Sequence, residues 1–478
     1  MLVIKIMINV INRLKRGIKK EIQNQNYENA LHLISILANI LYETNQYYVD
    51  EELESDLSII SKKLKPLLYS KSNSEVILFY DGFGLNSRGL AQIYLKALTK
   101  IKHVVYVTDI NAKERIPDIL SILNKHDAIF LKEKSFTKRI HELSSVITSF
   151  SVSSFFFYSV PNDVVGTVVL NAYKGKRYQI NLTDHAFWLG ARCIDTCIEF
   201  RDYGASVSNH YRKINKIVKI PFYPIIDYNK EFEGYPFNSE NKKIVFSGGA
   251  LYKTFGGGNY YYKIVDYILG HHRDVVFWYA GNGDRRKMDR IIAKYPQRVY
   301  VTGERNDLFQ VLCHCYFYLS TYPICGGLMF QYAAAAGKVP VTLKFDSISD
   351  GFLINQERLG IEYCSFKEVI KEIDRLIENE EYALHRGNAV RNSIICEEDF
   401  NSEISKLFSD SSFSYDINYS RIDTSSFRKT YKDRNNARVI NELLVKKDGF
   451  VVFKYCPVRY FCGCISKMLK RIIRKIKR

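Results

Sequence analysis

Two places in this 478-residue sequence carry residues whose types and spacing suit chemistry. The first is YFYLSTYPICGGLMFQYAAAAGKVPVTL, from Tyr316 to Leu343, where a Pro-x-x-Gly-Gly turn stops an apolar run and good helix formers follow. Gly326 and Gly327 carry no Cβ, so a ligand can approach the backbone. The N–H groups of Gly326, Gly327 and Leu328, at the positive end of a helix, suit an anion such as a diphosphate. A Gly-Gly pair can equally be a plain tight turn, so its neighbours decide. One neighbour is SGGALYKTFGGG, where Gly248, Gly249 and Gly256 to Gly258 bracket Lys253. Glycines for close approach and a lysine for a point charge suit a diphosphate, although a flexible surface loop has the same composition. The pattern is neither GxxxxGK[ST] nor GxGxxG.

The second place is Asp184-His185 in NLTDHAFWLG, directly after a strand-like segment and close to Trp188, one of only two tryptophans. In open α/β sheets ligands gather beyond the carboxyl ends of strands. An imidazole there can take a proton near neutral pH, and so can a carboxylate of raised pKa. A lone histidine is more often structural, so this assignment depends on what surrounds it.

Elements must hold these residues in place. Strand-like runs at Glu75 to Tyr80, His103 to Val107, Ala128 to Leu131, Val146 to Phe150, Val168 to Leu170 and Gln179 to Leu182 alternate with polar or helical stretches, which predicts an open, mostly parallel sheet. The loop Asp81-Gly82-Phe83-Gly84 closes the first strand. A second succession starts at Lys243 to Phe246 and continues through Val275 to Ala280, ending at Gly281-Asn282-Gly283, and Val299 to Thr302, ending at Gly303-Glu304-Arg305, before reaching the Gly326-Gly327 turn. Between them, residues 216–240 hold Pro221, Pro224 and Pro236 without clear periodicity and read as a linker. Residues 1–70 show helical stripes, such as Leu33, Ile34, Leu37, Ile40 and Leu41.

These residues carry a resemblance. The stretch 316–343 resembles the nucleotide-sugar-binding segment of GT-B glycosyltransferases: Ala333 to Val341 keeps the alanines, Gly337 and the Pro340-Val341 ending. The two glutamates of the large retaining family are missing. Ile324 stands near the first, and Gln331 or Tyr332 where the second falls. DHAFWLG, with Asp195, Glu199, Phe200 and Arg201, is similar to a segment of inverting bacterial GT-B transferases, some related to protein glucosyltransferases, whose preceding histidine is Leu182 or Thr183 here. The resemblance covers residues 241–400 well and 75–215 loosely.

It implies an α/β chain with two Rossmann-like domains facing a cleft, and transfer of a sugar, UDP-linked by preference, to a saccharide acceptor. Gly249, Lys253, Gly281, Arg305, Gly326, Gly327 and Leu328 would hold the donor diphosphate, and Gln331 or Tyr332 the ribose. His185, or Asp184, would be the base of an inverting reaction, with Gly84 and Trp188 on the acceptor side. No cofactor is expected beyond the nucleotide-sugar substrate, and no metal, since no Asp-x-Asp motif accompanies these residues. The expected division is a helical extension at 1–70, an acceptor domain at 71–215, the linker, a donor domain at 241–400, a polar return at 401–455 and a basic amphipathic helix at 456–478. A catalytically silent scaffold, a protein glycosyltransferase and a sugar-nucleotide epimerase are the alternatives.

Composition sets outer bounds. With 46% hydrophobic and 14% aromatic residues the chain can build sizeable cores, and the formal charge of +18 suits anionic partners. Ten cysteines without CxxC or zinc-ligand spacing read as reduced thiols, and the basic N-terminus has the wrong order for a secretory signal, so a cytoplasmic protein is expected. No recognition motif argues for nucleic acid. From Val458 onward, Phe461, Ile465, Met468, Leu469, Ile472, Ile473 and Ile476 recur at helical spacing, with Lys467, Lys470, Arg471, Arg474 and Lys475 on the remaining face. This pattern predicts a helix on the anionic inner face of a membrane, through its basic residues, or a docked C-terminal helix.

Overall fold

The computed structural model describes residues 2–45, 47–66, 73–86, 89–344, 351–423, 437–445 and 450–476. Two parallel sheets organise it. The first contains β1 (Asn73–Asp81), β2 (His103–Asp109), β3 (Asp127–Leu131), β4 (Val152–Tyr158), β5 (Lys176–Ile180), β6 (Thr196–Glu199) and β7 (Ile217–Lys219). Their order is β3-β2-β1-β4-β5-β6-β7. β7 falls inside the expected linker, yet Val218 pairs with Ile198 and extends the sheet. Alternate residues serve opposite faces. Leu78, Tyr80, Val105, Val107, Phe155 and Phe157 enter one core, and Ile77, Phe79, Val104, Tyr106, Phe156 and Tyr158 another.

The second sheet holds β8 (Lys243–Gly248), β9 (Val275–Ala280), β10 (Val299–Thr302), β11 (Phe317–Leu319), β12 (Pro340–Leu343) and β13 (Glu362–Tyr363), in the order β10-β9-β8-β11-β12-β13. Crossover helices follow most strands: α4 (Gly89–Leu98), α5 (Pro117–Leu123), α6 (Phe136–Ser149), α7 (Val164–Ala172) and α8 (Asp202–His210) in the first half, α9 (Tyr260–His271), α10 (Arg286–Lys294), α11 (Leu308–Cys313) and α12 (Gly327–Ala335) in the second. In both sheets the order reverses at the first strand, between β1 and β4 and between β8 and β11. Such switch points open a crevice at the carboxyl ends of the strands.

Two long helices, α1 (Leu2–Gln23) and α2 (Tyr27–Thr44), and α3 (Glu51–Leu64) precede the first sheet. Their apolar stripes, Leu33, Leu37, Ile40, Leu53, Leu57 and Ile60 among them, are fully buried in the same core as β1 and β4. Asp50 caps α3 by accepting from the amides of Glu52 and Leu53. After α13 (Phe366–Glu378) and α14 (Glu380–Arg391), α15 (Glu397–Ser405) crosses back, and Phe400, Ile404 and Leu407 pack in the first domain's core. Of the last helices, α16 (Ala437–Leu444) and α17 (Phe450–Tyr455) close against α1 and α2, and α18 (Pro457–Ile476) packs on α16 and α17. Buried Glu21 accepts from Lys454 (2.6 Å) and Tyr455 (2.5 Å). Burial alone would raise its pKa, but these bonds and those from Asn26 and Asn29 outweigh it and lower it to about 2.

Candidate functional site

Three strand ends of the second sheet converge on the donor side. After β8, Gly249 has φ +120° and open space where a Cβ would stand. After β9, Gly281 backs onto it so closely that a Cβ there would lie 2.0 Å from the Gly249 carbonyl oxygen, which only glycine allows. The short turn Leu251–Thr254 then carries Lys253 toward the turn after β11, where the Ile324 amide donates to the Lys253 carbonyl at 3.3 Å. The Lys253 ammonium lies 3.4 Å from the position a Cβ would take at Gly326, the N-cap of α12. A lysine charge, an unobstructed glycine backbone and the positive end of a nine-residue helix thus share one spot.

Three expected donor contacts are placed elsewhere. Arg305 gives its guanidinium to Asp307 (2.8 and 2.7 Å) and to the Gly234 carbonyl at 3.2 Å, over the Trp278 ring, so its charge is paired beside α11 and tied to the linker. Gln331 is 1% exposed and its Nε2 donates to the carbonyls of Phe222 (2.7 Å) and Phe352 (2.8 Å). The Tyr332 hydroxyl donates to the Ile225 carbonyl at 2.6 Å. The side chains at the glutamate position therefore fasten α12 to the linker rather than facing a ribose. Leu328 packs into the first domain's core.

On the facing side, Asp184 is fully buried and Arg201 grips it, Nε to Oδ2 at 2.6 Å and Nη2 to Oδ1 at 3.1 Å. Burial would raise this carboxyl, but the Arg201 charge and the His185 bond outweigh burial and hold it below the usual carboxylate range. An ionised Asp184 can only accept, so His185 Nδ1, 3.2 Å from Asp184 Oδ1, carries the hydrogen and Nε2 becomes the basic nitrogen. The imidazole is 30% exposed. Of the two candidate bases, His185 reaches the surface, whereas Asp184 is buried. Gly84, its amide donating to Asp81 Oδ1 at 3.0 Å, lies in the loop that follows β1. Trp188 is buried with Ala191, Cys197 and Ile214, the Arg212 guanidinium above its ring. It lines a core rather than a cleft.

The loop carrying Asp184 and His185 is held from four sides. Arg212, fully buried, donates to the carbonyls of Thr183 (3.3 Å), Asp184 (3.0 Å) and Ala186 (2.6 Å). Asn45, ending α2, donates to the His185 carbonyl at 3.1 Å. Glu54 of α3 accepts from the amides of Gly190 (2.9 Å) and Arg192 (3.2 Å). Glu199 lies beneath. At Gly204 a Cβ would meet Glu199 Oε2 at 2.3 Å and Asp184 Oδ2 at 3.0 Å, so this glycine makes room for two carboxylates. Burial, then the neighbouring Asp184 charge, raise Glu199 to about 7.

The two sides meet through Phe352. Its ring lies 4.7 Å from the Arg201 guanidinium and stacks on Phe200 at 6.3 Å. A Cβ on Gly327 would come within 2.6 Å of the same ring. A chain of contacts therefore runs His185, Asp184, Arg201, Phe352, Gly327, from the candidate base to the candidate donor helix. Neither Phe352 nor Arg212 carries a sequence signal of this. Among the described residues no cluster of three His, Cys, Asp or Glu could hold a metal ion, and no helix is long and apolar enough to cross a membrane.

No protein-family model and no curated protein sequence matches the chain. Solved structures do. The complex of Anabaena HepE with UDP and glucose aligns at TM-score 0.51 and 15% identity over 70% of this chain and 100% of that one, and the HepE complex with UDP-glucose at 0.51 and 14% over 70% and 99%. A Thermobaculum terrenum O-GlcNAc transferase aligns at 0.48 and 12% over 89% and 83%. With its two parallel sheets of seven and six strands, the chain has the GT-B fold of two Rossmann-like domains.

Proposed function

We propose that the protein is a GT-B glycosyltransferase that moves a sugar from a nucleotide diphosphate donor, UDP-linked by preference, to a saccharide acceptor. The carrying observation is the Lys253 ammonium set beside Gly326 at the start of α12, across Phe352 from the His185-Asp184-Arg201 group. The departing nucleoside diphosphate gathers negative charge as the glycosidic bond breaks, and a preorganised lysine with helix N-terminal amides lowers that barrier. This arrangement supplies the charge without a metal. His185 takes the acceptor hydroxyl's proton through Nε2, and Asp184 stabilises the imidazolium that forms. A base facing the donor helix favours inversion. The amphipathic C-terminal helix supports a lipid-linked acceptor at the inner face of a bacterial membrane, in the making of a capsule, O-antigen or lipopolysaccharide.

A catalytically silent scaffold is the second reading, favoured by the engagement of Gln331 and Arg305 with the linker. Calorimetric titration of the protein and its Lys253→Ala variant with UDP, GDP, ADP and CMP separates the two. Selective binding of one nucleotide, weakened in the variant, supports the enzyme and names its donor class. Absence of binding by folded protein overturns the transferase reading in favour of the scaffold.

A further inference from the structure

The C-terminal helix is oriented opposite to the reading its charges invite. α18 docks through the face that contains Gly463, where a Cβ would stand 2.1 Å from the Asn441 carbonyl oxygen, and Lys467 and Lys470 lie on this docked side. Lys467 donates to the Val445 carbonyl and Lys470 pairs with Glu442, so both serve to hold the helix on α16. The side chains of Arg474 and Lys475 lie outside the described residues. On the outward face stand Val458, Phe461, Ile465, Met468, Leu469 and Ile472, between 41% and 70% exposed. α17 adds Phe450 at 86% and Phe453 at 42%, their rings 6.0 Å apart. Exposed apolar side chains gathered in this way along one helix face mark an interaction site.

Its charge surroundings choose the occupant. From Phe450 to Arg478 the sequence holds nine basic residues and no acidic one, and of these Lys454 and Lys470 are paired with Glu21 and Glu442 from other elements. A second copy would bring two such sets of like charge together, whereas anionic headgroups neutralise them while the acyl region receives aromatic and aliphatic side chains. We infer that the α17–α18 stripe, and not the basic face, is the membrane-contacting surface. α18 lies along the headgroup–acyl boundary of an anionic bilayer, with Phe461, Ile465 and Leu469 inserted and Arg471 at headgroup level. This deepens the membrane half of the proposed function and rests on it. Nucleotide binding is measured separately, so either can fail alone.

The test uses the full chain and vesicles of phosphatidylcholine with and without phosphatidylglycerol. Both native tryptophans are buried away from lipid, so the lipid-dependent difference between a Phe461→Trp variant and the wild type reports on the stripe. Its emission should shift to the blue on adding anionic vesicles and be quenched by lipids brominated in the acyl chain. A Phe461→Ser/Leu469→Ser variant that titrates with UDP as the wild type does should lose roughly tenfold or more in vesicle co-sedimentation. High salt should weaken wild-type binding without abolishing it, because apolar insertion is not screened. Unquenched emission from the Phe461→Trp variant, or full-strength binding by the serine variant together with complete release by salt, overturns the inference in favour of the basic face. Concentration-dependent dimerisation abolished by the serine pair, without vesicle binding, overturns it in favour of a second copy.

Discussion

The candidate donor turn and the candidate base loop sit at the ends of different sheets and are built on opposite plans. The donor turn is mostly backbone: Gly249 with nothing near its Cβ position, Gly281 against it, and one lysine beside the helix start. The base loop is mostly side chain, with Arg201, Arg212, Asn45 and Glu54 reaching it from α2, α3 and the segments flanking α8. A diphosphate is large, charged and tolerant of small displacements, so open amides and a point charge suffice. A base must meet one proton within about 3 Å, so its rotamer, tautomer and loop all need to be held. The helical extension gains a role from this contrast, since its Asn45 and Glu54 brace the loop that carries His185.

Substitutions can break or sharpen the contrast, and the largest effect belongs to the candidate base itself. His185→Ala should lower turnover by roughly 10²–10⁴-fold while leaving UDP affinity unchanged, as steady-state kinetics and calorimetry together will show. Near-normal turnover would remove His185 from the reaction. Asp184→Asn should cost about 3–5 kcal/mol in chemical denaturation, because it leaves the Arg201 charge buried without its partner. An Asp184→Asn/Arg201→Met double variant should recover part of that loss; simple additivity would mean that the pair does not act as a unit.

Glu199 comes next, and here the pH dependence has a definite sign. Its folded pKa, about 7, lies above the ordinary 4.5 of an exposed glutamate, so the native state binds the extra proton between those values. Stability should therefore fall as pH rises from about 4.5 to 7, by roughly 3 kcal/mol, and level off above. Glu199→Gln should remove that share of the slope in denaturation curves measured across the range, leaving the parts due to Glu54 and Asp56, which burial raises to about 7 and about 6. An unchanged slope would show that the carboxylate pair around Gly204 is not strained. Smallest is the donor turn: Lys253→Ala should weaken UDP by about tenfold to a hundredfold, the worth of one charged hydrogen bond, with the denaturation midpoint unmoved. A large loss of stability would instead make Lys253 part of the scaffold and erase the contrast.

Much of the site was legible in local pattern. The strand-turn-helix rhythm of the second half, Lys253 between its glycines, Gly326-Gly327 before a helix and Asp184-His185 after a strand are all short-range signals, because glycine conformation and helix polarity act over a few residues. In the first half the apolar runs at Val146 to Phe150 and Val168 to Leu170, read as strands, instead belong to the ends of α6 and α7, since a short apolar run has no period that separates a strand from a buried helix. Arg201 was visible only as part of a motif. Its bond to Asp184 crosses 17 residues, that of Asn45 to His185 crosses 140, and that of Gln331 to Phe222 crosses 109. No spacing rule reaches so far. Trp188 beside a candidate base looked like a cleft residue, and only the packing of Ala191, Cys197 and Ile214 around it shows a core.

The C-terminal helix draws the same line most plainly. Its residues by themselves settled that a helix would form and that it would have an apolar and a basic side, since both follow from a period of 3.6. Which side would face outward depended on what else competed for each: Gly463 lets α16 approach closely, and Glu442 and the Val445 carbonyl receive the lysines. Local periodicity determines how side chains are arranged around an element. Partners brought from elsewhere in the chain decide which of those side chains remain at the surface, because burial is a property of the assembled fold and not of any one segment.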